Sequence, residues 1–397
     1  MLYIIELFFL VIDLLLIYKI ANYISKKHMV AYISTILSII PLLLSIQGGN
    51  FVEEYALPFI LLALYIFIKD EKSTKGYILS GVSLGAVLML RPNMVVVWII
   101  GYMFITIELL YRKDFKEFFR AAIFSIIGLI GAITPFIIYL LINNAFGEFI
   151  NQYIVFNIKY ASANNTNVIQ FLKNYKFVEE YIVGIIIITN IIILIKELIT
   201  KNKEEIRRNI FSLLFIILTA YIVVMPCNPY KHYAIILIPC YIITITNLIK
   251  LLKYKEVFYI IILYIIIVMP DLVIANQIAD FKYNNKMYDM CNYIKTISDE
   301  DDDVIMIGNF CLIYLLSDRT TDCKYIYQFP PINMDEKIRQ EVKDYIYNNM
   351  PDVIVYTRDT SDNYFYNLLT DLTEHKYYVV DKSQEYTILL KKEGELN

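Results

Sequence analysis

Long apolar runs recur through the first 275 residues of this chain, and they leave few folds open. A helix rising 1.5 Å per residue needs about 20 residues to cross a hydrocarbon core of roughly 30 Å. Runs of about that order can be placed at 2–24, 29–47, 56–69, 77–90, 93–110, 121–142, 181–199, 209–226, 233–249 and 256–274. The chain is 58% hydrophobic and 19% charged, with a mean hydropathy of +0.53. A soluble domain of this size has no use for so much apolar sequence. The expected fold class is a mainly α membrane protein: a polytopic bundle of about ten transmembrane helices over residues 1–275.

Lys and Arg in the connections orient the bundle. The segments Lys19–Lys27, Lys69–Lys75, Arg112–Arg120, Lys196–Arg208 and Lys250–Lys255 hold 18 of them, whereas Arg91, Lys159, Lys173, Lys176 and Lys231 are the five in the alternate set. The first set is therefore expected on the cytoplasmic side. The chain start, the Glu53-Glu54 turn, Arg91, the Tyr230–Tyr233 turn and everything past 275 then face outward. Met1 enters its apolar run with no basic stretch before it, so it does not read as a signal peptide. An outward start with no leader leads us to expect a further helix and outer loop upstream in the natural reading frame.

A net charge of −3 argues against nucleic acid as a partner. The five cysteines show no CxxC and no metal-like spacing with the three histidines, so the expected metal ligands are none. After residue 275 the charge rises and short strands alternate with helices. Helices are expected over 281–298, 310–317, 335–349 and 363–374, with strands at 303–308, 324–329, 352–357, 377–381 and 385–391. Such alternation implies a mostly parallel α/β domain over 276–397, extracytoplasmic by the charge rule. It contains no nucleotide-binding glycine motif, and the acidic run Asp299–Asp303 reads as a solvated turn.

Three outward clusters could carry chemistry. The first lies in Gly48–Phe59, where Asn50, Glu53, Glu54 and Tyr55 open a helix. Asn50 with Glu53 three residues on fits a capping pair, which leaves Glu54 as the sharper catalytic candidate. The second is Arg91-Pro92-Asn93: Pro92 disfavours helix at Arg91 and fixes a guanidinium at the outer end of a span. The third is Tyr230-Lys231-His232-Tyr233 among Pro226, Pro229 and Pro239. Arg presents a bidentate fork to phosphate, Lys a point charge, and His a proton donor or acceptor near neutral pH. Within the membrane, Glu6 and Asp13 share one face of the first helix. Asp13 should face the bundle interior, where a buried, hydrogen-bonded carboxyl is as good a reading as a functional one.

The outer acidic pair opening a short helix, Arg91-Pro92-Asn93 after a Gly-rich span, and Pro229-Tyr230-Lys231-His232-Tyr233 ahead of Pro239 resemble integral-membrane glycosyltransferases of the GT-C fold. The nearest branch is similar to protein O-mannosyltransferases and aminoarabinose lipid A transferases, over residues 1–275. The resemblance implies a polyprenyl-phosphate-sugar donor and an envelope glycan, lipid or protein acceptor outside the membrane. It also implies roles: Glu54 and His232 as catalytic candidates, and Glu53, Tyr55, Arg91, Asn93, Tyr230 and Lys231 as substrate-binding ones. It fixes no cofactor, and leaves binding of a divalent cation open to Glu53 or Glu54. The family's general base lies in a first outer loop that has no counterpart here. A transporter or flippase of lipid-linked sugars, and a non-catalytic partner in envelope glycan assembly, are the competing readings.

Overall fold

The structure, a computed structural model, describes residues 2–46, 50–163, 183–224, 231–252, 256, 287–308, 310–326, 335–357, 370, 376–382 and 386–392. The chain divides into two compact units, Met1–Leu272 and Val273–Asn397.

The first unit is helical. It comprises α1 (Leu2–Ser25), α2 (His28–Ile46), α3 (Val52–Lys69), α4 (Thr74–Leu90), α5 (Val96–Tyr111) and α6 (Phe115–Ile142). These are followed by α7 (Phe146–Phe149), α8 (Phe156–Ala163), α9 (Val183–Thr200), α10 (Lys203–Val224) and α11 (Ile238–Leu251). A π turn, Ile150–Val155, joins α7 to α8, and a 3-10 turn, Lys231–Leu237, leads into α11. Local chemistry sets the ends. Ser73 caps α4 by accepting from the Gly76 N–H at 3.0 Å, and Asp114 caps α6 by accepting from the Glu117 N–H at 3.1 Å. Asp70 closes α3 in the left-handed conformation, φ 53°.

The helix α3 forms the axis of the unit. Ala56, Leu57, Leu61, Ala63 and Leu64 are all fully buried, against Ile17, Ile20 and Ile24 of α1 and Val97, Trp98 and Ile100 of α5. In α6 only Ala121, Ser125 and Gly128 are buried, while Ile123, Ile126, Ile130 and Phe136 are at least half exposed. An apolar helix that leaves such a face uncovered is a helix facing lipid. Where α6 meets α4 the backbones touch. A Cβ on Gly81 would lie 2.0 Å from the Ser125 carbonyl oxygen, and one on Gly128 2.1 Å from that of Ile78. Among the described residues, Phe115–Ile142, Glu205–Val224 and His232–Leu251 are long and apolar enough to cross a membrane. His28–Leu43, Thr74–Leu90 and Val96–Tyr111 are shorter apolar helices. The protein is thus a mainly helical integral membrane protein. Nine of the ten expected runs overlap helices, three of which have the length and apolarity of a span, and the tenth, 256–274, falls almost wholly outside the described residues.

The second unit holds a four-stranded sheet in the order β1-β2-β4-β3, from β1 (Val304–Ile307), β2 (Val353–Thr357), β3 (Tyr377–Lys382) and β4 (Tyr386–Lys391). A helix over 287–297 (α12), Leu312–Ser317 (α13) and Glu336–Asn349 (α14) accompany it. Strand alternation buries both faces: Ile305, Ile307 and Ile354 meet Val342 and Ile346 of α14, while Val304, Met306 and Val353 meet Met290 and Ile294.

Two expectations for this unit fail. The sheet is not mostly parallel, because only β1–β2 is parallel and both β2–β4 and β3–β4 are antiparallel. Three residues, 383–385, separate β3 from β4, far short of the dozen or so that a parallel crossover needs. The strand expected at 324–329 is absent over 324–326. There the Tyr325 hydroxyl donates to Glu341 of α14 at 2.5 Å, so side chains rather than a backbone ladder hold the segment. The rest of that stretch and most of the helix expected at 363–374 lie outside the described residues.

Candidate functional site

The site begins with the conformation of a single residue. Asn50 sits at φ 69°, in the left-handed region, and Phe51 at φ −88°, ψ 149° is the N-cap of α3. The cap thus falls one residue later than the sequence pattern suggests, and the two glutamates exchange roles. Glu54, not Glu53, occupies the third helical position and accepts the Phe51 N–H at 3.1 Å. Asn50 instead accepts the Tyr55 hydroxyl at 2.5 Å.

Glu53 is left free of the cap. Its side chain is 2% exposed and forms an ion pair with Arg91. Arg91 arrives there because α4 stops at Leu90 and Arg91 is extended, φ −160° and ψ 107°, ahead of Pro92. Its guanidinium carbon lies 4.2 Å from the centroid of the Tyr233 ring, a cation–π contact. The His232 ring stands edge-on to Tyr233 at 4.8 Å and stacks on Phe51 at 4.0 Å and 7°. Three segments distant in sequence are therefore joined in one chain of contacts: the start of α3, the end of α4 and the turn before α11. Glu53, Arg91, Asn93, Met94, Tyr233 and Ile236 line a small recess there, with Asn93 exposed.

Tyr55 and Glu54 turn away from Arg91, toward α1. The Tyr55 ring meets Phe9 edge-on at 5.2 Å, and the charge of Glu54 acts on Asp13. Asp13 does face the interior and is 3% exposed. Lys231 opens the 3-10 turn; Tyr230, with Gly48 and Gly49, lies outside the described residues. Phe51 is the contributor that the sequence pattern did not assign to the site; Tyr233 stood in its third cluster without a role. An aromatic two residues before the acidic pair was the signal available for Phe51.

The other end of α3 is built differently. Arg207 of α10 forks onto Asp70 at 2.8 and 3.2 Å and also reaches Glu108 of α5 at 2.7 Å. Lys72 pairs with the same two carboxylates. Burial would raise the Asp70 carboxyl, but Arg207 and Lys72 outweigh it and hold the group below its ordinary range. A cavity of about 280 Å³ opens here, lined by Tyr23, Phe67, Lys69, Arg207, Arg208 and Phe211 among others. It is larger than the recess at Arg91, yet its cations are engaged: Arg207 as above, Arg208 with Glu205, and Lys69 with Glu71 at 3.1 Å. The recess also holds an engaged cation, Arg91, but there the aromatic face of Tyr233 and, beyond it, the His232 imidazole stand beside it.

The sequence profile of the putative competence-induced protein Ccs4 N-terminal domain family matches residues 1–268. The chain belongs to this family. No curated protein matches it. Among solved structures, this family member is similar to ArnT from Cupriavidus metallidurans bound to undecaprenyl phosphate. The TM-score is 0.62 at 11% identity, over 97% of this chain and 82% of that one. Against ArnT from the same organism in the apo state the TM-score is 0.57 at 11% identity, over 95% and 82% of the two chains. ArnT is a GT-C aminoarabinose lipid A transferase. At such identity the likeness speaks to the fold alone, and the fold is GT-C-like.

Proposed function

We propose that the chain is a membrane glycosyltransferase that takes a sugar from a polyprenyl-phosphate carrier and passes it to an envelope acceptor on the outer face. The observation that carries this reading is the Glu53–Arg91 pair beneath Tyr233 and beside His232. A buried carboxylate holds the guanidinium in place, and a face of the guanidinium rests on an aromatic ring, which suits repeated binding of a phosphate. The likeness to a protein crystallised with undecaprenyl phosphate supports the same donor class. The Lys and Arg bias supports an outward Glu53 end and an extracytoplasmic second unit.

In the reaction, the acceptor hydroxyl oxygen bonds to the anomeric carbon as the bond from that carbon to the phosphate oxygen breaks. The carrier phosphate leaves with the electron pair, and the hydroxyl proton must be taken up. Arg91 holds the phosphate, Asn93 borders it, and His232 assists the leaving group or the acceptor. Glu53 orients Arg91. Among the described residues no three His, Cys, Asp or Glu side chains converge to hold a metal ion.

The test is binding of undecaprenyl phosphate and transfer from a labelled polyprenyl-phosphate sugar, with purified protein in lipid nanodiscs. Arg91→Ala and His232→Ala should each lower transfer about 10²- to 10³-fold, the usual cost of one preorganised stabilising group. Unchanged transfer in both variants would overturn the assignment. Movement of the intact donor across the bilayer without transfer would favour a flippase.

A further inference from the structure

The bundle's larger cavity, about 280 Å³, lies at the end of α3 away from Arg91. Lys69, the last residue of α3, stands there about 24 Å from Glu53, at 1.5 Å per residue along the axis. Spacing explains what each helix presents. On α5, Gly101, Phe104 and Ile105 fall at i, i+3 and i+4 and so share one face. On α10, Arg207 and Arg208 precede Phe211 by one helical turn, which places both on the side that carries that ring. Tyr23 is added by α1, and Phe67 and Lys69 by α3. One wall of the cavity is therefore apolar and ring-bearing, and the other basic.

Ion pairing does not neutralise the basic wall. Four carboxylates, Asp70, Glu71, Glu108 and Glu205, are paired at this end with six cations, Lys69, Lys72, Arg112, Arg207, Arg208 and Lys250. Among the described residues the network thus holds more cations than carboxylates. Part of that charge is sunk into the lining, because Arg208 is buried, while Lys69 and Arg207 are part-exposed at the opening. Positive charge taken out of water and not matched by negative charge is costly, and a bound anion relieves the cost. The ring-bearing wall asks for an anion with an apolar body. At about 280 Å³ the cavity is near the lower end of small-molecule sites, so it takes a headgroup rather than a whole lipid. The Lys and Arg bias supports the cytoplasmic side for this end, where anionic headgroups are abundant and basic pockets between helices bind them.

We propose that this cavity is a binding site for the phosphate headgroup of an anionic lipid of the cytoplasmic leaflet, separate from the recess at Arg91. The phosphate enters between Lys69, Arg207 and Arg208, and the first carbons of the lipid lie along Phe104, Ile105 and Phe211. The site does not depend on the glycosyltransferase reading of the opposite end. A lipid held there ties the end of α3 to α5 and α10, the same three helices that Asp70, Glu108 and Arg207 join.

The test is native mass spectrometry of the full chain in detergent, titrated with dioleoylphosphatidylglycerol, dioleoylphosphatidylcholine or inorganic phosphate. The chain should retain the phosphatidylglycerol and neither of the others. Lys69→Gln, at the opening, should weaken that retention about fivefold, the usual worth of one cation beside an anionic headgroup. Lys116→Gln removes an exposed cation in the first turn of α6, outside the cavity, and should leave retention unchanged. Ile105→Trp, which fills the apolar wall without altering charge, should abolish retention. If that variant does not fold, the comparison of Lys69→Gln with Lys116→Gln decides by itself. Equal retention of the two lipids, equal effects of the two lysine variants, or retention of inorganic phosphate in place of the lipid would each overturn the proposal.

Discussion

At one end of α3 a single pair, Glu53 with Arg91, is sunk among aromatic rings, and among the described residues no second ion pair duplicates either member. At the other end Asp70 and Glu108 share Arg207 and Lys72, and Glu108 also meets Arg112, so each carboxylate has at least two cations. The two arrangements differ in what a single loss leaves behind. Removing Arg91 strands a carboxylate that is 2% exposed, whereas removing Arg207 leaves Lys72 beside both acids. An unduplicated buried pair is a weak way to gain stability and a good way to hold one guanidinium in one place. A redundant, part-exposed network is a joint between helices.

The largest effect should come from Arg91→Ala. It should lower unfolding stability by about 3 kcal/mol, the lower end of the range for breaking a buried pair, because Arg91 itself is partly exposed. Replacing both members, as Glu53→Leu with Arg91→Met, should return most of that stability but not undecaprenyl-phosphate binding. Denaturant unfolding in detergent micelles, run beside a binding assay, separates the two. Equal stability of the single and double variants would remove the contrast between the ends.

Arg207→Ala should cost only about 1 kcal/mol, since part-exposed pairs are worth little singly and Lys72 remains. Its pH dependence is more telling. The Asp70 carboxyl lies below its ordinary range in the folded state, so it contributes stability at neutral pH, above the unfolded value. That contribution is lost as pH falls through the folded value. Arg207→Ala should therefore shrink the loss of stability on acidification in thermal melts taken from pH 7 to pH 3. An unchanged acid limb would mean that Asp70 is not held by Arg207.

Much of this layout was readable beforehand, for identifiable reasons. Apolar runs separated by Lys and Arg marked the helices, since burial in lipid constrains composition more than packing does. Pro92 marked where α4 stops and so where Arg91 stands. The division of labour between Glu53 and Glu54 was not readable. It turns on the left-handed φ of Asn50, which shifts the cap by one residue and rotates each side chain to a different neighbour. Nor was the pairing in the second unit, because strand–helix alternation describes β1 through β2 well and says nothing of the close return from β3 to β4. Phe51, and the ring contact that Tyr233 makes with Arg91, were missed because stacking depends on which turns meet, and no local pattern records that.

The smallest effect should come from Tyr55→Phe. The hydroxyl donates to Asn50 in an exposed setting, where water replaces such a bond at little cost, and the ring contact with Phe9 survives the change. Stability should stay within about 0.5 kcal/mol of the parent. If the Asn50 bond instead anchors the turn, the variant would allow the cap to slip back toward Asn50 and Glu53 to leave Arg91. The loss would then approach that of Arg91→Ala, and undecaprenyl-phosphate binding would fall with it. The same unfolding and binding measurements decide whether the buried pair is held by the helix start alone or also by the tyrosine beside it.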